Sequence, residues 1–252
     1  MQKNDIEILQ LLCSRFAEGN HAYANFSSFY TGCQYVPFYN KFREYAPSTV
    51  HVLDWGAGNG HASAFLTAAG YEATGYSFDE FYFDDIVCGK YHFTQGSAAE
   101  PVRLPFPNSS FGAVISVGVL EHVRETGGNE IESLREIRRV MVPNAVFVCC
   151  HFPNKYSWIE WLTGLLPGPF HHHRFRYTGS EIKVLCERAN LTLLEIYPYG
   201  ILPRTIVAKF IPPFLRQNVS LAKILNRIDA LLRFFFFPIA QNFLFVARRE
   251  EA

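Results

Sequence analysis

The sequence predicts an α/β protein whose core is a doubly wound, seven-stranded, mostly parallel sheet with helical cap insertions. From residue 49 onward, short apolar runs alternate with segments whose apolar residues recur at helical spacing. A glycine-rich turn, Asp54-Trp-Gly-Ala-Gly-Asn-Gly60, follows the first apolar run directly. The chain has 252 residues, of which 49% are hydrophobic and 18% charged, a composition typical of a folded globular protein.

The apolar runs predict the strands, and the periodic segments predict the helices between them. We expect strands at 49–54, 71–76, 91–94, 112–117, 145–151, 191–197 and 242–247. We expect helices at 61–69, 130–140 and 178–189. Gly70 suits a helix C-terminus because it adopts a left-handed conformation readily. Thr178 with Glu181 has the spacing of a capping box, which marks a helix start.

The same pattern divides the chain into four parts. Residues 1–45 are expected to form a helical and aromatic N-terminal segment, which either packs on the core or acts as a lid over a substrate pocket. Residues 46–200 form the core, with a short insertion at 153–175 after the fifth strand. Residues 201–238 are expected to form a helical insertion between the sixth strand and the final strand at 239–252.

Composition excludes some classes of function. The formal net charge is zero, so the overall basic character of many nucleic-acid-binding proteins is absent. The six cysteines include no C-x-x-C pair, and Cys149 and Cys150 lie in an apolar run, which favours a reducing compartment. No secretory leader or membrane-spanning run is visible. We therefore expect a cytoplasmic protein, with contact to the inner membrane surface at most peripheral.

The glycine-rich turn is the first functional signal. Glycines allow a tight turn after a strand and let the backbone approach a ligand closely at the helix N-terminus. Nucleotide-dependent dehydrogenases share this pattern, so an oxidoreductase remains an alternative at this point.

Several segments together carry a resemblance to a known family. They are Val52–Gly60, Leu104–Phe111 with Ala113–Ser116, Val119–Val123 and His173–Thr178. In combination they resemble class I S-adenosylmethionine-dependent methyltransferases, in the small-molecule branch described as methyltransferase-11-like. The resemblance covers roughly residues 48–198 and implies a Rossmann-like fold, S-adenosyl-L-methionine as cofactor, and methyl transfer.

The resemblance also implies a cofactor site. The methionine part would lie against Asp54, Gly56, Ala57, Gly58, Asn59 and Gly60, the ribose near Ser77 and Phe78, the adenine near Ser97 and Ala98, with Val117 ending the fourth strand. Ser77 and Ser97 stand where the family usually has acids. Asp79 is expected either to supply the missing ribose carboxylate or to serve as an acid at a helix N-terminus.

For catalysis, the segment after the fourth strand offers His122 as general base, with Glu121 orienting it. The alternative is that His122 only makes a hydrogen bond within a turn. Tyr30, His151, His173 and Arg174 are the expected substrate-side residues.

No metal site is expected from the sequence. Some relatives bind a divalent metal through Glu-x-x-Glu-His, but Gly118 replaces the first Glu here. The adjacent His171, His172 and His173 lack the spacing of metal ligands.

The C-terminal insertion gives a hint about the acceptor. Its Phe234–Phe237 run lies in a segment with many basic residues and Asp229 as the only acid, which fits a membrane surface, a lipid-linked substrate or a partner subunit. The alternative is that these phenylalanines pack inside a cap or a homodimer interface.

The leading hypothesis is O-methylation of a saccharide or natural-product hydroxyl on a small or lipid-linked acceptor in biosynthesis. The alternative from another class is a catalytically silent methyltransferase-fold module that binds a partner.

Overall fold

A computed structural model describes residues 3–16, 23–79, 89–165 and 173–251. Within these residues seven strands form one sheet in the order β3-β2-β1-β4-β5-β7-β6. The strands are β1 His51–Trp55, β2 Glu72–Ser77, β3 Tyr91–Gln95, β4 Phe111–Val117, β5 Met141–Pro153, β6 Thr192–Tyr199 and β7 Asn242–Arg248. Strands β1 to β5 pair in parallel, whereas β7 is antiparallel to both β5 and β6. The predicted fold class is confirmed.

Strand β5 is longer than the predicted 145–151. Pro143 and Asn144 are poor strand residues, and the pairing of β5 with β4 shifts register in this stretch. Asn144 takes a left-handed φ of 63° at this irregularity, and β5 pairs with β4 on both sides of it. At the other end, Phe152 and Pro153 still pair with β7.

Helices cover both faces of the sheet. The helices are α1 Lys3–Phe16, α2 Phe29–Gly32, α3 Val36–Tyr45, α4 His61–Ala68, α5 Glu130–Val140, α6 Trp158–Gly164, α7 Gly179–Arg188, α8 Arg204–Val207, α9 Pro213–Arg216 and α10 Val219–Phe236. The capping box predicted for α7 is present, since Thr178 and Glu181 bond reciprocally. Two buried apolar clusters, one on each face, fill the space between sheet and helices.

The N-terminal segment packs on the core. Helix α1 buries Leu9, Leu12 and Phe16. Tyr39 of α3 stacks on Phe65 of α4 with ring centroids 3.9 Å apart. The segment therefore packs on the core, and part of it also lines a cavity described below.

The C-terminal insertion lies between β6 and β7, where it was predicted. Its phenylalanines do not pack inside a cap: Phe234 is 76% exposed and Phe235 is 65% exposed. Helix α10 buries Ala222 and turns much of its apolar surface outward. Among the described residues no helix has the length and apolar character needed to cross a membrane.

Candidate active site

Two cavities open at the carboxyl ends of the strands, where α/β sheets bind their ligands. We call the first, of about 170 Å³, the glycine cavity; its walls include Gly56, Gly58, Ser77, Phe78 and Asp79. We call the second, of about 320 Å³, the histidine cavity; its walls include Glu121, His122, His151 and His173. His122 lines both cavities and therefore stands between them.

The glycine turn forms one wall of the glycine cavity. Gly56, Gly58 and Gly60 have φ values of 80°, 50° and 81°, which side-chain-bearing residues rarely adopt. A Cβ atom on Gly56 would overlap the side chain of Val119. The N–H groups of Gly56 and Ala57 donate to the carbonyl of Tyr76 at 2.8 and 2.9 Å, which fixes the turn against β2.

The opposite wall follows β2. Ser77 Oγ accepts a hydrogen bond from the backbone N–H of Asp79 at 3.3 Å, and the exposed Asp79 lies at the cavity edge. The apolar walls are Phe78, Pro101 and Val119. The site thus offers hydroxyl and carboxylate groups beside an apolar surface.

The other residues predicted for the cofactor lie elsewhere. Ser97 and Ala98 are exposed and outside the wall of the glycine cavity, where Pro101 takes their expected place. Val117 lines the histidine cavity instead. Asn59 Oδ1 is 2.7 Å from His61 Nδ1, so its side chain fastens the turn to α4.

Asp54 lies behind the turn, and its carboxylate is not part of the wall of the glycine cavity. The carboxylate is buried and accepts a hydrogen bond from Ser63 of α4 at 2.6 Å. Burial raises the pKa of Asp54 to about 6, although the Ser63 hydrogen bond lowers it in part. Asp54 therefore positions the turn by joining β1 to α4.

In the histidine cavity, two histidines are each held by a carboxylate. His122 Nδ1 is 3.1 Å from Glu125 Oε2, and His173 Nδ1 is 2.6 Å from Glu160 Oε1. Their ring centroids are 5.8 Å apart. In both rings it is the Nδ1 atom that faces the carboxylate.

Glu121 lies beside this pair. It is only 2% exposed, and burial raises the pKa of its carboxyl to about 8. Its Oε1 is 4.0 Å from His122 Nε2, and its Oε2 has no hydrogen-bond partner within the described part of the chain. Glu121, His122 and His173 each offer one potential metal-ligand atom, and these atoms lie within 4.8 Å of one another.

His151 completes this side of the cavity. It has a left-handed φ of 62°, unusual for a residue with a side chain, at the point where β5 reaches the cavity. Its N–H donates to Tyr199 Oη at 2.8 Å. Burial lowers the pKa of His151 to about 4, so the ring is neutral near pH 7.

Two predicted substrate residues lie outside the wall of the histidine cavity. Tyr30 is buried within the N-terminal segment, and the Arg174 guanidinium lies 5.5 Å from the Phe175 ring centroid. The segment contributes Tyr23, Asn25 and Gln34 to the cavity instead. His171 and His172 lie outside the described residues.

Sequence reasoning missed several residues of this site. The crowd of aromatic residues between 23 and 45 pointed to the right segment but not to Tyr23. Glu125 and Glu160 carried no signal in the sequence, because isolated acids are common and only the fold brings these two to histidines.

A family model described as "Methyltransferase domain" matches residues 28–196, about two thirds of the chain. The chain belongs to the class I S-adenosylmethionine-dependent methyltransferase family. This methyltransferase is an enzyme of that class with S-adenosylmethionine as cofactor, and the dehydrogenase alternative falls away.

Solved structures similar to this methyltransferase share its fold. One is the Burkholderia thailandensis 1,6-didemethyltoxoflavin-N1-methyltransferase with bound 1,6-didemethyltoxoflavin and S-adenosylhomocysteine (16% identity, 86% of this chain and 79% of that chain, TM-score 0.54). A methyltransferase from Methanosarcina mazei (16%, 84% and 98%, TM-score 0.55) and the [4+2]-cyclase SpnF (15%, 86% and 81%, TM-score 0.56) are also similar. No curated protein matches the chain. At these identities the likeness concerns the fold alone, and the cyclase illustrates that one fold serves different reactions.

The residues of the glycine cavity fit the cofactor. The positive-φ glycines let a ligand approach the backbone, Phe78 and Pro101 offer apolar surface to a base, and Ser77 with Asp79 offers acceptors for ribose hydroxyls. Asp79, two positions beyond Ser77, offers a carboxylate at the edge of the same cavity. The alternative that Asp79 begins a helix falls on residues after 79 that lie outside the described ranges.

Proposed function

We propose that this methyltransferase transfers a methyl group to a hydroxyl oxygen of a small or lipid-linked acceptor, such as a saccharide or natural-product hydroxyl, held in the histidine cavity. The observation that carries the proposal is the position of His122. It lines both cavities, so it lies where a methyl group would pass from the cofactor to the acceptor.

The bound cofactor supplies a methyl carbon that is already activated by a positively charged sulfur. With the cofactor bound, the acceptor oxygen would take this methyl carbon as the carbon–sulfur bond breaks, with the electron pair left on sulfur. The residues of the histidine cavity hold the acceptor, and an imidazole there would take the hydroxyl proton. The chain contributes chiefly positioning, and Glu121 with His122 activates the hydroxyl.

The polar character of the histidine cavity supports an acceptor rich in hydroxyl groups. Its walls combine imidazoles with the amides of Asn25, Gln34, Gln241 and Asn242. Amides both donate and accept hydrogen bonds, which suits sugar-like hydroxyls.

Replacement of His122 tests this role. We expect His122→Ala to lower kcat by about 100-fold or more, the usual contribution of a group that assists proton transfer, with cofactor Kd changed less than about twofold. S-adenosylhomocysteine release is measured with a panel of hydroxyl-bearing saccharides, natural products and lipid-linked sugars, and cofactor affinity by isothermal titration. His92→Ala, an exposed histidine on β3, is the matched control.

Two outcomes contradict the proposal. Full turnover in His122→Ala would remove His122 from the reaction. A product methylated at nitrogen or carbon would overturn the assignment to oxygen while leaving methyl transfer intact.

The exposed face of α10 supports the lipid-linked form of the acceptor. Ile224, Ile228, Leu231 and Phe235 are exposed and follow helical spacing. The segment 204–238 holds six basic residues and one acid. An amphipathic helix with apolar and basic character binds anionic membrane surfaces, where a lipid-linked acceptor resides.

A further inference from the structure

We propose that Glu121, His122 and His173 bind a divalent transition-metal ion on the wall of the histidine cavity. The proposal rests on the proposed function only in taking this cavity as the acceptor site. It gives His122 the role of a metal ligand in activating the hydroxyl, in place of the direct base expected from the sequence.

The three side chains are close to ligand geometry. Metal–nitrogen and metal–oxygen bonds of about 2.0–2.1 Å place tetrahedral ligand atoms roughly 3.4 Å apart. His122 Nε2 and Glu121 Oε1 are 4.0 Å apart, and all three ligand atoms lie within 4.8 Å of one another. Small side-chain rotations bring them to bonding distance.

The carboxylates behind the histidines are the second observation. Histidines that bind metals commonly direct their other ring nitrogen to a carboxylate, which fixes the ring and makes it a better ligand. Glu125 does this for His122 at 3.1 Å, and Glu160 does it for His173 at 2.6 Å. Both contacts use Nδ1, so both rings present Nε2 as the ligand atom.

Glu121 supplies the third observation. It is 2% exposed and lines the cavity, and its Oε2 has no hydrogen-bond partner among the described residues. A buried carboxylate oxygen without a partner is unfavourable. A bound cation provides that partner.

The ligand types select the class of metal. Two imidazoles and one carboxylate suit zinc, iron, cobalt or manganese, whereas magnesium and calcium prefer oxygen ligands throughout. Three protein ligands leave a coordination position open toward the cavity. There the cation would polarise the acceptor hydroxyl and ease transfer of its proton to the neutral imidazole of His151, which lines the same cavity.

The fold explains why the sequence predicted no metal. Gly118 removes the first glutamate of the relatives' ligand set. His173 comes from the segment before α7, and only the folded chain brings it beside His122.

The test uses the untagged chain stripped with a chelator. Titration with Co²⁺, followed by visible absorption, and with Zn²⁺, followed by calorimetry, should show one site per chain. We expect His173→Ala and Glu121→Gln to weaken binding by at least tenfold, and Glu160→Gln by roughly tenfold as a loss of ligand support. His92→Ala should bind as wild type, and circular dichroism checks that each variant folds.

The outcomes separate this proposal from the proposed function. Absence of Co²⁺ and Zn²⁺ binding, or equal binding by His173→Ala and wild type, overturns the metal site. Stripped enzyme that is fully active while His122→Ala is inactive identifies His122 as the base and also overturns it. Methyl transfer to oxygen is tested separately, by identifying which atom of the product carries the methyl group.

Discussion

At the scale of single residues, His61 joins the N-terminal segment to the glycine turn. Its ring lies 5.0 Å from Tyr23, 5.5 Å from Phe26 and 5.4 Å from Tyr35 by ring centroid. Its Nδ1 is 2.7 Å from Asn59 Oδ1, within the turn itself. A single side chain therefore links the aromatic segment to the glycine turn.

The buried His61 makes stability depend on pH. Burial, with a smaller contribution from nearby His151, lowers the pKa of His61 from 6.5 to about 3. The folded state thus binds fewer protons than the unfolded state below pH 6.5, so stability is full above that pH and is lost as pH falls toward 3. Between pH 7 and pH 4 this group accounts for about 3 kcal/mol of the free energy of unfolding.

The variant His61→Gln has an amide that retains a donor for Asn59. Between pH 7 and pH 4 we expect its free energy of unfolding to fall by about 3 kcal/mol less than that of wild type. Urea denaturation at pH 7 and pH 4 measures the difference. His92→Ala serves as control, and identical losses in His61→Gln and wild type would contradict the buried, neutral state of His61.

At the scale of secondary-structure elements, α10 presents apolar residues to the outside. Leu231 is 62% exposed, and Phe210 and Phe214 extend the apolar surface before the helix begins. The one acid of the segment, Asp229, accepts a hydrogen bond from the N–H of Leu202 at 2.8 Å. The remaining charges are basic, which favours an anionic lipid surface over a neutral one.

We expect the protein to co-sediment with vesicles containing phosphatidylglycerol and to bind phosphatidylcholine vesicles far less, with salt weakening the binding. The double variant Leu231→Ser/Phe235→Ser should lower the bound fraction severalfold. Val184→Ser, an exposed apolar residue of α7, is the matched control. Absence of vesicle binding together with a stable dimer in sedimentation would assign the surface to a second copy of the chain.

The elements themselves could largely be predicted from local sequence. Helix α5 has the predicted bounds, and the cap of α7 was encoded by Thr178 and Glu181 alone. Strand β5 exceeded its prediction because Met141 pairs with Phe111 of β4 on the far side of an irregularity that contains Pro143 and Asn144, and no local pattern contains that pairing. Tertiary pairing, in such places, overrides local preference.

At the scale of the whole molecule, the candidate site forms where segments that are distant in the sequence meet in the fold. The turn after β1, the end of β2 and the segment after β4 were predictable, since each directly follows a strand. Two other residues of the site were not predictable: Glu160, the partner of His173, comes from α6, and Tyr23 of the cavity wall comes from the N-terminal segment. Such contacts depend on how insertions pack over the sheet, which composition and spacing do not encode.

Asp54 and Asp79 occupy different positions relative to the glycine cavity. Asp54 is turned toward α4 and stabilises the turn, whereas Asp79 lies at the cavity edge. The sequence predicts both acids near the cofactor, but the packing of α4 beneath the turn places only Asp79 in the wall of the glycine cavity.

Isothermal titration with S-adenosylmethionine and S-adenosylhomocysteine tests whether the glycine cavity binds the cofactor. We expect saturable binding at one site per chain, weakened about tenfold or more in Asp79→Ala because a charge-assisted hydrogen bond to the ribose is lost. Val184→Ser should bind as wild type. A folded protein that binds neither compound at millimolar concentration, or an Asp79→Ala variant with unchanged affinity for both, would contradict the cofactor site described at the glycine cavity.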